Sequence, residues 1–224
     1  MEHVHVRINE EGTLRNQRYA FSDRFTLISE LLQNGRRAGA TLIEVSYDPA
    51  SSTLRVIDDG QGIDDFSKLL TFNESGWSEA LQAEEHPFGA GFSRCLYAST
   101  RCIVTSRGKR IDFDTAEALA KAAIAVEDVG DDRIPGTRIE LHGVDLPDLE
   151  YRIEDLCRGF PVPVEFNGRP LARTHARSEL RSISTPIGHI QVVGTHSGRF
   201  ATAIVAYLQG FRVMTLPSYT HPGQ

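Results

Sequence analysis

Several features that would restrict the function of this chain are scarce or absent. No apolar run approaches the roughly 18 residues that a membrane-spanning helix needs, and the N-terminus has no signal-peptide pattern. The three cysteines, Cys95, Cys102 and Cys157, form no CxxC pair and cannot all pair within the chain, so we expect reduced thiols. These absences predict a cytoplasmic protein without a membrane segment.

Positive charge is also scarce, and it is unevenly placed. The net charge is −6, with 16 Lys+Arg against 25 Asp+Glu in residues 1–148 but 8 against 5 in residues 149–224. The mildly basic last third suits either a nucleic acid or the acidic first part, and the second is favoured. Arg173, Arg177 and Arg181 would share one face of a helix, which keeps nucleic acid as a lesser, unindicated partner.

What is present is an alternation of helical and strand-like patterns. Helices are predicted at about 24–38 (capped by Ser22 or Asp23), 91–99 and 151–160. Strands are predicted at 3–8, 41–47, 53–58, 101–106, about 109–114, 137–142, 162–166, 189–194 and 201–207. This order predicts an α/β (α+β) two-layer sandwich, with a mixed sheet covered by helices on one face. The Pro-containing segment 142–150 predicts a boundary between domains 1–148 and 149–224.

The first helix has an unusual polar side. In "ELLQNGRRAGAT" (30–41), Glu30, Asn34 and Arg37 follow each other at spacings of four and three residues, so they share one helical face. Considered alone, this pattern is typical of a solvated surface.

Two glycine-containing segments change that interpretation. Asp58-Asp59-Gly60-Gln61-Gly62 ends a strand, where glycines let the backbone turn tightly and approach a flat ligand. In "HPFGAGFSRCLYAS" (86–99), Gly89 and Gly91 precede a predicted helix, which is favourable geometry for an anion. Each segment considered alone is better explained by an ordinary turn.

Together, and in this order, the segments resemble the nucleotide-binding boxes of the GHKL ATPases, the Bergerat-fold group. This group includes type II topoisomerase ATPase subunits, large heat-shock chaperones, MutL-type and MORC-type proteins and sensor histidine kinases. "ELLQNGRRAGATLIEV" is similar to ELxxNxxDAGAT, "DDGQG" matches DxGxG, and "PFGAGFSRCLYAS" resembles the chaperone glycine box. "GTRIEL" (136–141) resembles the strand that closes the adenine pocket, so the resemblance spans about 22–142.

The resemblance implies a site for ATP and Mg²⁺. Glu30 matches the general base that polarises the attacking water, and Asn34 matches the Mg²⁺ ligand. Asp58 matches the carboxylate that accepts a hydrogen bond from the adenine amine, with Thr137 supporting it.

Backbone groups complete the implied site. The base would be contacted by Gly60, Gly62 and Ile63. The phosphates would be held by the amides of Gly89, Ala90, Gly91 and Phe92. Residues 64–88 would form a lid, and residues 149–224 would be the start of a transducer-like or middle-like domain, abbreviated or truncated.

Two departures from the family pattern leave the activity open. Arg37 stands where the family often has aspartate, and no lysine follows Lys121 to reach the γ-phosphate from the next domain. The main expectation is an ATPase with weak, Mg²⁺-dependent hydrolysis, in which lid closure controls contacts with a client protein or with a second copy through the lid and N-terminal segment. The alternative is an ATP sensor that does not hydrolyse. A histidine kinase-type phosphotransferase is disfavoured, because such kinases usually lack a glutamate in the position of Glu30.

Overall fold

The computed structural model describes residues 4–5, 7–20, 24–71, 91–130, 136–186, 188–191 and 203–217. Within them the chain is an α+β protein with a large mixed sheet and six helices. The helices are α1 (Glu10–Ala20), α2 (Thr26–Arg37), α3 (Phe66–Leu70), α4 (Ser93–Ala98), α5 (Thr115–Leu119) and α6 (Leu149–Cys157). The strands are β1 (Ile43–Asp48), β2 (Thr53–Asp58), β3 (Arg101–Ser106), β4 (Lys109–Asp114), β5 (Glu127–Asp128), β6 (Thr137–His142), β7 (Val164–Phe166), β8 (Arg169–Pro170), β9 (Ile183–Thr185), β10 (Gly188–Ile190), β11 (Ala203–Leu208) and β12 (Phe211–Pro217).

The main sheet has eight strands in the order β5-β4-β3-β6-β2-β1-β7-β8. Neighbouring strands are antiparallel except β1 and β7, which are parallel. One line of paired residues crosses five strands, and it consists of Val45, Val56, Ile139, Val104 and Ile111. Because all five are buried, this line marks the inner face of the sheet.

The two faces of the sheet differ in polarity, as the alternation of apolar and polar residues along its strands requires. Buried side chains of α2, α4 and α6 join the inner face in one hydrophobic core. The opposite face is polar, with Arg55 paired to Glu140 and Arg101 paired to Asp112, each at 2.7 Å. The predicted arrangement, a mixed sheet with helices packed on one face, is therefore confirmed at the level of fold class.

Helix α2 supplies the polar face that the sequence singled out. Its apolar residues Leu27, Ile28, Leu31 and Leu32 are buried, which anchors the helix on the sheet. The helix stops at Ala38, and Gly39 follows with φ +75°, a conformation that glycine adopts without strain. The predicted helix at 24–38 is confirmed, although the predicted caps Ser22 and Asp23 lie outside the described residues.

The main sheet continues beyond residue 148, where the sequence suggested a domain boundary. Helix α6 contributes the fully buried Ile153 and Cys157, and β7 pairs with β1. The turn Asn167-Gly168, with positive φ at both residues, then leads into β8. The proline-containing segment itself contributes to this core, because its Val144, Leu146 and Leu149 are buried.

Three other segments have a secondary structure that differs from the one the local sequence patterns predicted. Residues 4, 5, 7 and 8 are not in a strand, whereas Glu10–Ala20 forms α1, which the sequence analysis missed. Residues 171–182 contain turns and no helix, so the predicted stripe of Arg173, Arg177 and Arg181 does not form. Arg173 instead donates a hydrogen bond to the carbonyl of Pro161 at 2.7 Å.

Strands β11 and β12 form a separate hairpin whose tip lies against the main body. Phe211 stacks on Phe160 with 5.2 Å between ring centres. The buried Gln33 of α2 donates a hydrogen bond to the carbonyl of Gln209 in the hairpin turn at 3.2 Å. The helix that carries Glu30 and Asn34 is thus attached directly to the last part of the described chain.

No helix among the described residues is long and apolar enough to cross a membrane. The three cysteines are free thiols, and all are buried.

Candidate functional site

The polar side of α2 is the centre of the candidate site. Glu30, Asn34 and Arg37 are all half-buried, in contrast to the buried apolar side of the same helix. Because all three lie within the continuous helix α2, their spacing places them on one face, as predicted. Their partial burial shows that this face is not fully solvated.

Asp58 lies at the end of β2, close to the C-terminal half of α2. Its residue exposure is only 8%, and the N–H of Gly60 donates a hydrogen bond to its Oδ1 at 2.9 Å. Burial raises the pKa of Asp58, while the backbone N–H groups of Gly60 and Thr137 partly oppose this shift. Asp58 is thus a desolvated carboxylate that its own turn holds in place.

The adjacent Asp59 has a structural role. Its carboxylate accepts hydrogen bonds from the N–H groups of Thr41 at 2.6 Å and Leu42 at 3.0 Å, and from the Thr41 hydroxyl. Burial alone would raise the pKa of Asp59, but these hydrogen bonds outweigh it and lower the pKa. The two neighbouring carboxylates therefore differ: Asp59 fixes the turn and the start of β1, while Asp58 is buried and accepts a hydrogen bond within its own turn.

Small residues let α2 approach the Asp58 turn closely. A Cβ atom built on Gly35 would lie 2.8 Å from Ile43 Cδ1 and 3.3 Å from the Cβ of Asp58. One built on Gly60 would lie 2.7 Å from the carbonyl oxygen of Ala38, and the N–H of Gln61 donates to that same oxygen at 2.8 Å. Glycine is therefore required at both positions by the packing of the helix on the turn.

The predicted base-contacting residues are held by a serine that the sequence analysis did not identify. Ser106 is fully buried at the end of β3; its hydroxyl accepts a hydrogen bond from the N–H of Ile63 at 2.9 Å and donates to the carbonyl of Gly136 at 2.7 Å. Ser106 pairs with Thr137, which in turn pairs with Asp58 across β6 and β2. The structure thus places Asp58, Ile63 and Thr137 in one neighbourhood.

Arg107 fixes the other side of the same turn. It follows β3 with φ +51°, and its Nε donates a hydrogen bond to the carbonyl of Gln61 at 2.7 Å. Its guanidinium also pairs with Asp64, and its side chain lies beside Gly62. Nothing in the local sequence indicated this contact, because the partners are more than 40 residues apart.

The described part of the glycine segment lies against α2. A Cβ atom built on Gly91 would lie 2.5 Å from Glu30 Oε2, so the carboxylate is in direct contact with the Gly91 backbone. Phe92 is buried and is the N-cap residue of α4. Gly89 and Ala90, like most of the predicted lid, lie outside the described residues. The structure therefore joins Glu30 to Gly91 and Phe92 and gives no geometry for the first half of the segment.

A second arginine missed by the sequence analysis lies beside Glu30. Arg94 of α4 places its Nε 3.8 Å from Glu30 Oε1, and its Nη1 donates a hydrogen bond to the Thr26 hydroxyl at 2.8 Å. Thr26 is the first residue of α2, one turn before Glu30. The guanidinium therefore connects the glycine segment to the start of this helix.

Other features of the described residues lie away from this neighbourhood. A cavity of about 220 Å³ between Phe25, Leu149 and Arg212 includes none of the predicted site residues. Among the described residues, no three His, Cys, Asp or Glu side chains are grouped so that they could hold a metal ion by themselves.

No family model matches the chain, and no curated protein matches it.

Proposed function

We propose that this chain binds ATP together with Mg²⁺ and hydrolyses the nucleotide slowly. The observation that carries the proposal is the position of α2. Through Gly35 and Ala38 the helix contacts the Asp58 turn, and through Glu30 it contacts Gly91. The helix therefore borders both glycine-containing segments, as a nucleotide with its base at one segment and its phosphates at the other would require.

Asp58 is the proposed acceptor for the exocyclic amine of adenine. A buried carboxylate fixed by backbone N–H groups is a directional acceptor, and Ser106 and Thr137 stabilise the surrounding backbone. Gly60, Gly62 and Ile63 supply the proposed contact with the base.

At the other end, the triphosphate is proposed to bind the backbone of Gly91 and Phe92 and that of the preceding Gly89 and Ala90. Asn34 supplies one side-chain oxygen to Mg²⁺, and phosphates and waters supply the others. Bound Mg²⁺ would neutralise phosphate charge, while Glu30 would orient and deprotonate the attacking water.

The fold supports the proposal at a coarser level. An antiparallel-rich mixed sheet with helices packed on one face agrees with a Bergerat-type ATP-binding domain. We further propose that residues 64–88 act as a lid, and that lid closure exposes contacts for a client protein or a second copy of the chain. Of this lid, the described part includes α3, whose first turn is capped by Asp65.

A non-hydrolysing ATP sensor is the second candidate. Arg37 favours it, because a half-buried cation replaces the aspartate that the resemblance leads one to expect at the end of α2.

Steady-state ATP turnover by the wild-type chain and by Glu30→Ala separates the two candidates. Hydrolysis predicts slow turnover that falls by about 100-fold or more in the variant, since a positioned general base contributes about that factor. Both proteins should still bind ATP. Equal turnover in the two proteins, with binding retained, would contradict the enzymatic proposal and leave the sensor.

A further inference from the structure

The two oxygen atoms of the Glu30 carboxylate have different surroundings. Oε2 lies against the Gly91 backbone, whereas Oε1 lies 3.8 Å from Arg94 Nε. The carboxylate is therefore held between the glycine segment on one side and a cation on the other. The resemblance to known ATPases assigned no role to Arg94.

The position of Arg94 is itself fixed by α2. Its Nη1 donates a hydrogen bond to the hydroxyl of Thr26 at 2.8 Å, four residues before Glu30 on the same helix. Thr26 and Glu30 lie on adjacent turns, so the guanidinium spans both. The side chain of Arg94 is 23% exposed and that of Glu30 is 32% exposed, so water screens their charges less than at an open surface.

The distance of 3.8 Å is longer than a direct hydrogen bond between nitrogen and oxygen. Arg94 therefore attracts the carboxylate without occupying Oε1 as a hydrogen-bond acceptor, so that oxygen can still accept from a water molecule. A bound triphosphate would repel the Glu30 carboxylate, and a nearby cation opposes that repulsion.

We propose that Arg94 is a positioning residue for Glu30, and that Thr26 orients Arg94 for this purpose. The role rests on the proposed ATP hydrolysis. Arg94 acts through the carboxylate: it keeps Glu30 directed toward the phosphate end of the site when the nucleotide is bound.

The test compares Arg94→Gln, Arg94→Lys and Glu30→Gln with the double variant Glu30→Gln/Arg94→Gln. Arg94→Gln should lower kcat by about tenfold or more and change KM for ATP by less than about threefold, because a displaced base impairs the chemical step. Arg94→Lys should recover most of kcat. The double variant should turn over at the same rate as Glu30→Gln alone, since Arg94 has no effect once the base is absent.

Two further variants control for folding and for charge. Thr26→Val keeps Arg94 but removes its anchor, and it should lower kcat by less than Arg94→Gln does. Arg101→Gln removes an arginine from the polar face of the sheet and should leave kcat unchanged.

Wild-type kcat in Arg94→Gln would overturn the role of Arg94 and leave the proposed hydrolysis intact. A further loss in the double variant would also overturn it, because Arg94 would then act independently of Glu30. A wild-type protein that binds ATP without turnover would instead refute the hydrolysis itself, and the role of Arg94 with it.

Discussion

At the scale of single residues, the site depends on two adjacent aspartates with opposite electrostatics. Burial raises the pKa of Asp58, whereas hydrogen bonds from Thr41 and Leu42 overcome burial and lower the pKa of Asp59. The sequence "DDG" does not distinguish the two, because the hydrogen-bond donors to Asp59 come from the start of another strand. Only the folded chain separates the buried carboxylate of Asp58 from that of Asp59, which holds the turn in place.

This difference predicts opposite pH dependences for two matched variants. Between the unfolded-state pKa of 3.8 and the raised native value, native Asp58 holds its proton more tightly. Wild-type stability therefore falls as pH rises through this window, and Asp58→Asn avoids that loss. The free energy of unfolding of Asp58→Asn, relative to wild type, should increase between about pH 3 and about pH 7.

Asp59→Asn is the control. Because the native pKa of Asp59 is lowered, its ionised form stabilises the wild-type protein above 3.8, and this contribution is lost as pH falls through the native pKa. Asp59→Asn should therefore become less stable relative to wild type over the same rise in pH. Urea denaturation across this range measures both differences, and the same sign for the two variants would contradict the assignment.

At the scale of elements, local periodicity predicted much of the secondary structure. The strands at 53–58, 101–106 and 137–142 were predicted with their observed bounds, and the predicted helix at 24–38 matches α2 within two residues at its start. The parallel pairing of β7 with β1 was not predicted, because Val164 follows its partner Ile43 by 121 positions (164 − 43) and local patterns do not report pairing over that distance.

The candidate site shows the same limit. Glu30, Asn34 and Asp58 were identified because their motifs are local, while Ser106, Arg107 and Arg94 were missed because each acts on a distant segment. Short-range patterns therefore predict candidate side chains, and tertiary contacts decide which residues hold them in place.

Helix α2 provides the prediction at this scale. Gly35→Ala should improve the intrinsic helix propensity by about 1 kcal/mol, yet we expect it to lower the free energy of unfolding by about 1–3 kcal/mol. The added Cβ would meet Ile43 at 2.8 Å and push α2 away from Asp58. Urea denaturation measures the change.

Gly12→Ala in α1 is the matched control. Its added Cβ would meet only the end of the Asn9 side chain, at 3.0 Å, which can move. We expect this variant to be neutral or more stable. A Gly35→Ala protein as stable as wild type would show that α2 does not pack on the sheet as described.

At the scale of the whole molecule, one core connects the sheet, the helices and the residues beyond 148. Cys95, Cys102 and Cys157 come from three separate elements, and each is fully buried in this core. Burial raises the pKa of all three thiols, that of Cys157 to about 12. Their reactivity therefore reports on the integrity of the entire core.

A thiol reagent such as DTNB should consequently react with all three cysteines slowly in the native protein and rapidly in denaturant. Because all three cysteines lie in the same core, all three should become reactive in the same unfolding transition. Rapid reaction of Cys157 alone in the native protein would show that α6 is not part of the common core.

The most direct test of the central claim is a calorimetric titration of the chain with a non-hydrolysable ATP analogue and Mg²⁺. We expect one analogue molecule per chain to bind the wild-type protein, weaker binding when Mg²⁺ is chelated, and no binding by Asp58→Asn. A folded wild-type protein that shows no binding, or an Asp58→Asn variant with unchanged affinity, would contradict the proposal that α2 and the two glycine-containing segments form one nucleotide site.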